Sequence, residues 1–340
     1  MNRTILILSQ KDLVDAGCFD FASSIRVTEE VMRAYARGEI LYPAKVSTIF
    51  DEETQNRINC LPAGLKKEKI YGMKWVSVFP VNPHLRGLPN LSATILLSET
   101  ETGFPLALLE GTMCSNLRTA AVSTVAAEYL AVREPQTIGM IGAGEQAKSH
   151  FLAMHTQFPG ISRCKVSSRT EDTEQTFIRQ MRRFAPEVEF IGCRSDYKKA
   201  AEGSDIIVTA ISGQEKLLQA DWIKPGAFYC HVGGLEDDFA VAQKADKIVC
   251  DHWASVKHRT QTISQMYQQG LLTDADIYAD LPEIVSGHFP GRESPEEFNY
   301  FNGVGLSYVD VALSYWMYRR AAEKGVGTTI VMQDKSIFEL

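Results

Sequence analysis

The sequence predicts an α/β protein in which a doubly wound parallel sheet is joined to a second domain of the α+β class. In segment 137–170, a short apolar run leads through Gly142-Ala143-Gly144 into an amphipathic helix and a second apolar run. Further apolar runs at 206–211, 226–232 and 247–250 are separated by stretches that favour helices. The order strand, glycine turn, helix, strand is that of the βαβ unit in the Rossmann dinucleotide-binding fold.

The N-terminal part of the chain predicts a mostly antiparallel sheet with helices. Residues 4–8 form the first predicted strand, Ser9 begins a short capped helix, and an amphipathic helix over 24–37 ends at Gly38. Strand-like segments between turn residues follow at 45–50, 57–61, 71–78, 92–98 and 105–110. A helix predicted over 306–320 packs back on this domain, which therefore comprises 1–117 and 304–340.

The predicted Rossmann domain covers 118–303. An Ala-rich helix within 112–132 leads into it, and segment 137–170 supplies its first βαβ unit. Strands at 189–191, 206–211, 226–232 and 247–250 extend the predicted sheet, which ends near Ile284.

Composition excludes several classes of protein. The 340 residues carry a net charge of −7, which argues against nucleic acid or an anionic membrane as the main partner. No apolar run approaches the roughly 18 residues of a transmembrane helix, and the N-terminus lacks the features of a signal peptide. The seven cysteines are scattered and form no C-x-x-C pair, so we expect reduced thiols, a cytoplasmic location and no bound metal.

The glycine turn predicts a nucleotide phosphate site. Gly142 allows the tight bend, and Gly144 lacks the Cβ that would keep a pyrophosphate away from the backbone. The helix that begins with Glu145 and Gln146 offers free N–H groups to the phosphates, and Ala147 is the third small residue of the motif. The motif alone is weak evidence, but the flanking strand and helix patterns are those it requires.

The end of the second strand predicts which cofactor binds. An acidic residue there would bind the adenosine ribose, but the sequence has Ser168, Arg169 and Thr170. Arg169 suits a 2′-phosphate, which favours NADP(H) over NAD(H); the alternative is an ordinary surface arginine. Thr209 and Ala210 near the end of the apolar run 206–211, and Ser212 directly after it, complete the cofactor contacts expected from the residues.

Three cations in the first domain or at its boundary are candidates for binding carboxylates. Lys74 lies inside an apolar strand, where a lysine is costly unless it meets an anion or reaches solvent along its stem. Arg118 lies at the start of a helix among small residues, and Lys45 follows a Pro-Ala pair. Ordinary surface positions remain the alternative for Arg118 and Lys45.

The strand 226–232 ends in a candidate acid–base residue. His231 lies at the edge of the sheet where ligands bind in such folds, but a core histidine bonded to the backbone is an equal alternative. The acids Glu236, Asp237 and Asp238 follow; a polar loop at the cleft is one interpretation of them, and an exposed acidic turn is the simpler one.

These residues resemble the ornithine cyclodeaminase/μ-crystallin family over nearly the whole chain. The matching stretches are Lys74-Trp75-Val76, Leu117-Arg118-Thr119-Ala120-Ala121, Ile141-Gly142-Ala143-Gly144-Glu145-Gln146-Ala147, Lys224-Pro225-Gly226-Ala227, Gly303-Val304-Gly305-Leu306 and Val309-Asp310-Val311-Ala312. The resemblance implies a substrate and dimerisation domain beside a Rossmann domain, with Lys74 and Arg118 holding the substrate carboxylate at the nicotinamide. It also adds Thr119 and Gly305 to the expected cofactor site.

Segment 287–293 and Asn302 are similar to one branch of that family, the siderophore-pathway dehydrogenases of N-(2-amino-2-carboxyethyl)-L-glutamate. The branch implies oxidation of a secondary amine to release 2,3-diaminopropionate and 2-oxoglutarate, with NAD as the alternative cofactor. Its substrate has three carboxylates, which fits Lys45 and Arg292 as further substrate ligands.

Leu235 stands where cyclodeaminases of the family carry an Asp that handles the substrate amine. An NAD(P)-dependent oxidoreductase acting on CH–NH bonds is therefore the prediction. The alternatives are an ornithine cyclodeaminase, a ketimine or cyclic-imine reductase, and a non-enzymatic NADPH-binding protein like μ-crystallin. The base stays open among His231, Glu236 and Lys74. The many predicted strand edges in the first domain favour a homodimer.

Overall fold

A computed structural model describes residues 3–51, 53–334 and 338. The chain divides into two compact units, Met1–Arg118 with Leu306–Leu340, and Thr119–Gly305. The predicted first domain, 1–117 and 304–340, includes residues 1, 2, 52, 335–337, 339 and 340, which lie outside the described residues. The predicted α/β class is confirmed, because one unit contains an antiparallel-rich sheet and the other a parallel sheet.

The strands are β1 Arg3–Leu8, β2 Ile40–Leu41, β3 Val46–Asp51, β4 Asn56–Leu65, β5 Ile70–Val78, β6 Leu91–Glu99, β7 Pro105–Glu110, β8 Thr137–Ile141, β9 Arg163–Ser167, β10 Glu189–Gly192, β11 Ile206–Thr209, β12 Phe228–His231, β13 Lys247–Cys250, β14 Ala279–Asp280, β15 Asn299–Asn302 and β16 Thr328–Gln333. The α-helices are α1 Gln10–Asp15, α2 Phe21–Ala36, α3 Asn82–Leu85, α4 Thr112–Leu130, α5 Glu145–Gln157, α6 Glu171–Met181, α7 Tyr197–Ala201, α8 Phe239–Lys244, α9 Trp253–Val256, α10 Thr262–Gln268, α11 Leu281–Val285 and α12 Ser307–Glu323.

The first unit is built on a sheet of order β16-β1-β7-β6-β5-β4-β2, with β3 paired to β4. Its strands are antiparallel except for the parallel pair β1 and β7. Alternation along β5 puts Lys74 and Val76 on the buried face and Trp75 on the exposed face. Helix α12 packs on the buried face against β4 and β5, and the Ser307 hydroxyl donates to the Pro62 carbonyl oxygen at 2.6 Å.

The second unit is a parallel sheet of order β10-β9-β8-β11-β12-β15-β13-β14. The strand order reverses at β8, so loops on its two sides diverge at its carboxyl end and leave a crevice for a ligand. A core cluster of aromatic rings, Phe151, Phe177 and Phe190, anchors α5 and α6 to this sheet.

Several local predictions need correction. The sheet does not end near Ile284, because β15 inserts between β12 and β13 and pairs with both. Helix α2 begins at Phe21, three residues before the predicted start, because Asp20 caps it by accepting from the Ser23 N–H. The capped helix after Ser9 is confirmed, since Ser9 and Asp12 form a reciprocal capping box.

Candidate active site

A buried ion cluster in the first unit joins two of the predicted cations to an aspartate. Lys74 on β5 is 1% exposed, and its Nζ lies 2.7 Å from Asp310 Oδ1 on α12. Arg118 donates its Nε–H to the same oxygen at 3.0 Å. Asp310 is fully buried, and its Oδ2 accepts no hydrogen bond from the described residues. We name Lys74, Arg118 and Asp310 the cationic triad.

Burial lowers the pKa of Lys74, so this lysine can exchange a proton near neutral pH. Removal from water and, to a smaller extent, the charge of Arg118 lower the pKa of Lys74 to about 8, although Asp310 acts in the opposite direction. A lysine with such a pKa exists in both protonation states near neutral pH, as a general acid or base requires. The triad has two cations for one carboxylate, so it retains a positive charge when Lys74 is protonated and can attract an anion.

Asp310 is a site residue to which the sequence analysis gave no role. It appears in a stretch that matched the family, but it carried no predicted role. The signal was present, because Asp310 lies between Val309 and Val311 on the apolar part of a helix, where an unpaired carboxylate would be costly.

The remaining predicted substrate ligands lie in different places. Lys45 directly precedes β3, whose first residue Val46 pairs with Cys60 of β4. Arg292 lies in the second unit, where its guanidinium donates to the carbonyl oxygens of Leu130 at 2.8 Å and Glu297 at 2.7 Å. It therefore has a structural role in place of the predicted substrate contact.

The glycine turn of the second unit has the shape that a pyrophosphate needs. Gly142 has φ +115°, and a Cβ there would lie 2.3 Å from the Ala210 carbonyl oxygen. A Cβ on Gly144 would meet nothing within 4 Å, and no side chain caps the N-terminus of α5 behind it. Open space in front of an uncapped helix end fits an anionic group. The other residues predicted here are Thr119 on α4, Glu145 and Gln146 in the first turn of α5, and Ser212 on an exposed loop.

A second turn in the second unit is fixed by a buried acid. Gly305 has φ +98° and donates its N–H to Asp251 Oδ2 at 2.7 Å, and the Val304 N–H donates to the same oxygen at 2.9 Å. Burial raises the pKa of Asp251 to about 6. Sequence reasoning did not find Asp251.

The loop after β9 presents the predicted specificity residues. Arg169 is exposed, and Thr170 caps α6. The Ser168 N–H donates at 3.0 Å to Glu174, a buried acid that also accepts the N–H groups of Arg194 and Ser195, each at 2.8 Å. Because Glu174 holds both loops, it brings the exposed Arg194 into the neighbourhood of Arg169.

The structure does not favour His231 as a catalytic base. It is fully buried, with Nδ1 3.0 Å from Asn302 Nδ2 and 3.1 Å from the Tyr300 hydroxyl. Its Nε2 lies 3.3 Å from Glu236 Oε2. His231 is therefore a core histidine inside a polar network.

The expected exposed acidic turn is wrong. Glu236 is fully buried and accepts the Ile211 N–H at 2.6 Å, the Gly233 N–H at 2.8 Å and the Thr209 hydroxyl at 2.7 Å. Asp237 is also buried, which raises its pKa to about 6, and Asp238 caps α8. These acids hold the loops after β11 and β12, because loop N–H groups that leave water need acceptors. Leu235 is partly exposed in the same loop.

The two units therefore define a protein that combines a buried cationic site with a nucleotide-binding turn. The profile of the ornithine cyclodeaminase/mu-crystallin family matches residues 8–325, and the chain belongs to that family. No helix within the described residues is long and apolar enough to cross a membrane.

Named relatives agree along almost their whole length. The N-((2S)-2-amino-2-carboxyethyl)-L-glutamate dehydrogenase of Staphylococcus aureus is 29% identical, with 97% of this chain and 99% of the relative covered. The structure of Thermococcus litoralis Δ1-pyrroline-2-carboxylate reductase, in complex with NADH and L-proline, has a TM-score of 0.91 and 30% identity, with 96% and 100% covered. An archaeal alanine dehydrogenase dimer with bound NAD has a TM-score of 0.89 and 29% identity, with 97% and 100% covered. The prediction of a nicotinamide-dependent oxidoreductase is confirmed by these relatives.

Proposed function

We propose that this enzyme oxidises an N-linked diamino acid such as N-(2-amino-2-carboxyethyl)-L-glutamate and releases 2,3-diaminopropionate and 2-oxoglutarate. The cationic triad is the observation that carries the proposal, because it offers a cation for a carboxylate beside a lysine able to exchange a proton. The Staphylococcus aureus relative, named for this substrate, supports the choice of compound. We also propose a role in siderophore biosynthesis, which the resemblance of segment 287–293 implies.

Each member of the triad has a proposed role. Arg118 binds the carboxylate next to the carbon that is oxidised, and neutral Lys74 accepts the proton of the secondary amine. Asp310 holds both cations, so that they meet the substrate in one orientation. His231 and Glu236, the other predicted bases, are committed to their own buried network.

The chemistry balances with one cofactor and one water. A dinucleotide held by its pyrophosphate at the glycine turn would supply the oxidising power as a hydride acceptor. Loss of hydride and proton turns the amine into an imine, and water adds to the imine carbon. The C–N bond then breaks, so the nitrogen leaves with 2,3-diaminopropionate and the water oxygen becomes the keto oxygen of 2-oxoglutarate.

NADP(H) remains our proposal for the cofactor, with NAD(H) as the alternative. Arg169 is exposed at the end of β9, Arg194 lies on the adjoining loop, and the one buried acid there, Glu174, is occupied by main-chain N–H groups. The two exposed cations favour a 2′-phosphate, and the exposed acids Glu171 and Asp172 in the first turn of α6 oppose it. The named neighbours contain NADH and NAD, so the choice needs direct measurement.

We propose a cytoplasmic homodimer. Val46, 63% exposed, and Trp75, 47% exposed, lie in one row on the outer face of the first unit, joined through Cys60 of β4. Such an apolar row is typical of an interface, and the archaeal neighbour is described as a dimer. All seven cysteines are free thiols, which suits a reducing compartment.

Reduction of a cyclic imine is the second candidate function, favoured by the Thermococcus litoralis reductase. A substrate panel decides between the two functions. The N-linked diamino acid, ornithine and alanine are assayed with NAD or NADP, and Δ1-pyrroline-2-carboxylate is assayed with NADH or NADPH. We expect the N-linked diamino acid to have the highest kcat/KM and ornithine to yield no proline, because Leu235 replaces the acid of cyclodeaminases. A higher kcat/KM with the cyclic imine would refute the proposal. Cofactor binding without turnover of any compound would favour the non-enzymatic alternative.

A further inference from the structure

Two further polar side chains share a sheet face with Lys74 in the first unit. In the antiparallel pair of β4 and β5, Leu61 lies opposite Lys74, Asn59 opposite Val76, and Arg57 opposite Val78. Side chains two and four residues apart on a strand point to the same face, so Arg57 and Asn59 are on the Lys74 side. Neither residue has a part in the function proposed above.

Arg57 is a half-buried cation that has no anionic partner among the described residues. Burial lowers the pKa of its guanidinium, and no carboxylate of the described residues forms an ion pair with it. Its Nη1 donates to the Gln55 carbonyl oxygen at 2.9 Å. A guanidinium has five N–H donors, so most of its binding capacity is available to a ligand. A carboxylate is the group that this fork binds best.

Asn59 supplies an acceptor beside that cation. The residue is 8% exposed, and its buried Oδ1 accepts no hydrogen bond from the residues that the structure describes. A buried amide oxygen without a donor is costly, and an N–H group of a ligand would remove that cost. An amine or ammonium group satisfies this requirement.

An apolar floor connects these residues to the triad. Leu61, Val76 and Ala93 form a small buried cluster on the same face, with Val78 and Leu91 packed against it. The four residue steps from Arg57 to Leu61 correspond to about 13 Å along the strand. A long arginine side chain shortens that gap, so a ligand of several bonds can reach from one cationic group to the other.

We propose that Arg57 and Asn59 form a second amino-acid subsite, in which Arg57 binds a carboxylate and Asn59 binds an amino group. Resting on the function proposed above, this inference assigns the 2-amino-2-carboxyethyl end of the substrate to Arg57 and Asn59 and the oxidised glutamate end to the triad. The substrate class is then a compound with two amino-acid heads joined through one secondary amine.

Comparison of two compounds tests the subsite. N-(2-amino-2-carboxyethyl)-L-glutamate has both heads, whereas N-ethyl-L-glutamate keeps the secondary amine and the glutamate half but lacks the distal amino and carboxyl groups. Calorimetric titration of each compound into the full-length protein loaded with NADPH measures binding without turnover, and KM is measured in parallel for each compound that is oxidised.

We expect wild type to bind the two-headed compound more tightly than N-ethyl-L-glutamate. Arg57→Gln and Asn59→Leu should each weaken the binding of the two-headed compound about 10- to 100-fold, the size expected for loss of a hydrogen bond to a charged group. Affinity for N-ethyl-L-glutamate should stay within twofold, and Arg57→Lys should recover part of the loss. Arg26→Gln, an exposed arginine on α2 paired with Glu30, is the matched control and should change neither affinity.

The subsite and the proposed function can fail separately. Equal affinity of wild type for the two compounds, or equal losses for both in Arg57→Gln, overturns the subsite even if the two-headed compound is oxidised. Tight, Arg57-dependent binding of the two-headed compound without its oxidation supports the subsite and refutes the proposed reaction.

Discussion

Replacing Asp310 by Asn removes the single carboxylate of the cationic triad. At an effective dielectric constant near 20, its pairs with Lys74 at 2.7 Å and Arg118 at 3.0 Å are each worth about 6 kcal/mol of Coulomb attraction. The cost of burying the three charges offsets much of that attraction. Loss of one partner from a buried pair typically costs about 3–5 kcal/mol, so we expect Asp310→Asn to lose that amount of unfolding free energy.

The same substitution should change the pH dependence of the reaction. In wild type, kcat/KM for oxidation should rise with pH and level off above about 8, because only neutral Lys74 accepts the amine proton. Asp310 raises the pKa of Lys74, so its removal should move that rise to lower pH while kcat falls.

Urea unfolding and a pH profile of kcat/KM measure these two effects. Lys74→Met combined with Asp310→Asn is the control, because it removes the buried lysine along with its partner and should regain part of the stability lost in the single variant. If the free energy of unfolding of Asp310→Asn lies within about 1 kcal/mol of the wild-type value, well below the loss expected for a broken buried pair, or if its pH profile is unchanged, the triad does not act as described.

Three further predictions concern the cofactor and the assembly. Arg169→Ala should weaken the binding of NADPH about 10- to 100-fold in a fluorescence titration and leave the affinity for NADH within twofold. A wild type that binds NADH about tenfold more tightly than NADPH would refute the proposal of NADP(H). The Gly144→Ala variant should be as stable as wild type, because a Cβ at this position meets nothing within 4 Å, but it should lose most of its affinity for the cofactor. The Gly142→Ala variant should unfold more easily, because Gly142 has a φ of +115° and a Cβ there would collide with the Ala210 carbonyl oxygen. Light scattering should give twice the chain mass at micromolar concentration, and Trp75→Lys should give monomers; a monomeric wild type would contradict the proposed dimer.

Local patterns in the sequence predicted the parts of the fold that local interactions decide. The apolar run before Gly142 and the helix after Gly144 became β8 and α5, because period and glycine placement specify that unit within a few residues. Strand β15 was missed because it is four residues long and is stabilised by two strands distant in sequence.

The partners and the burial of the polar residues depend on long-range pairing, which the sequence patterns do not predict. Lys74 was suspected because a lysine interrupts an apolar strand, but its partner Asp310 lies 236 residues later and only the fold brings them together. The run Glu236-Asp237-Asp238 looked like a solvated turn, since three adjacent acids usually face water. Buried N–H groups of the loops after β11 and β12 instead draw Glu236 inside, and no periodicity encodes that demand.

Three arginines show why burial alone does not identify a binding residue. Arg118, Arg292 and Arg57 are all partly buried, but each guanidinium is satisfied differently. Arg118 has a carboxylate, Arg292 has main-chain carbonyl oxygens, and Arg57 has one carbonyl oxygen and no carboxylate among the described residues. A guanidinium whose N–H groups already donate to several acceptors in the protein gains little from a ligand. A guanidinium with unused N–H groups gains a charge-assisted hydrogen bond. The same reasoning argues against Arg292 as a substrate ligand and supports the proposal that Arg57 is one.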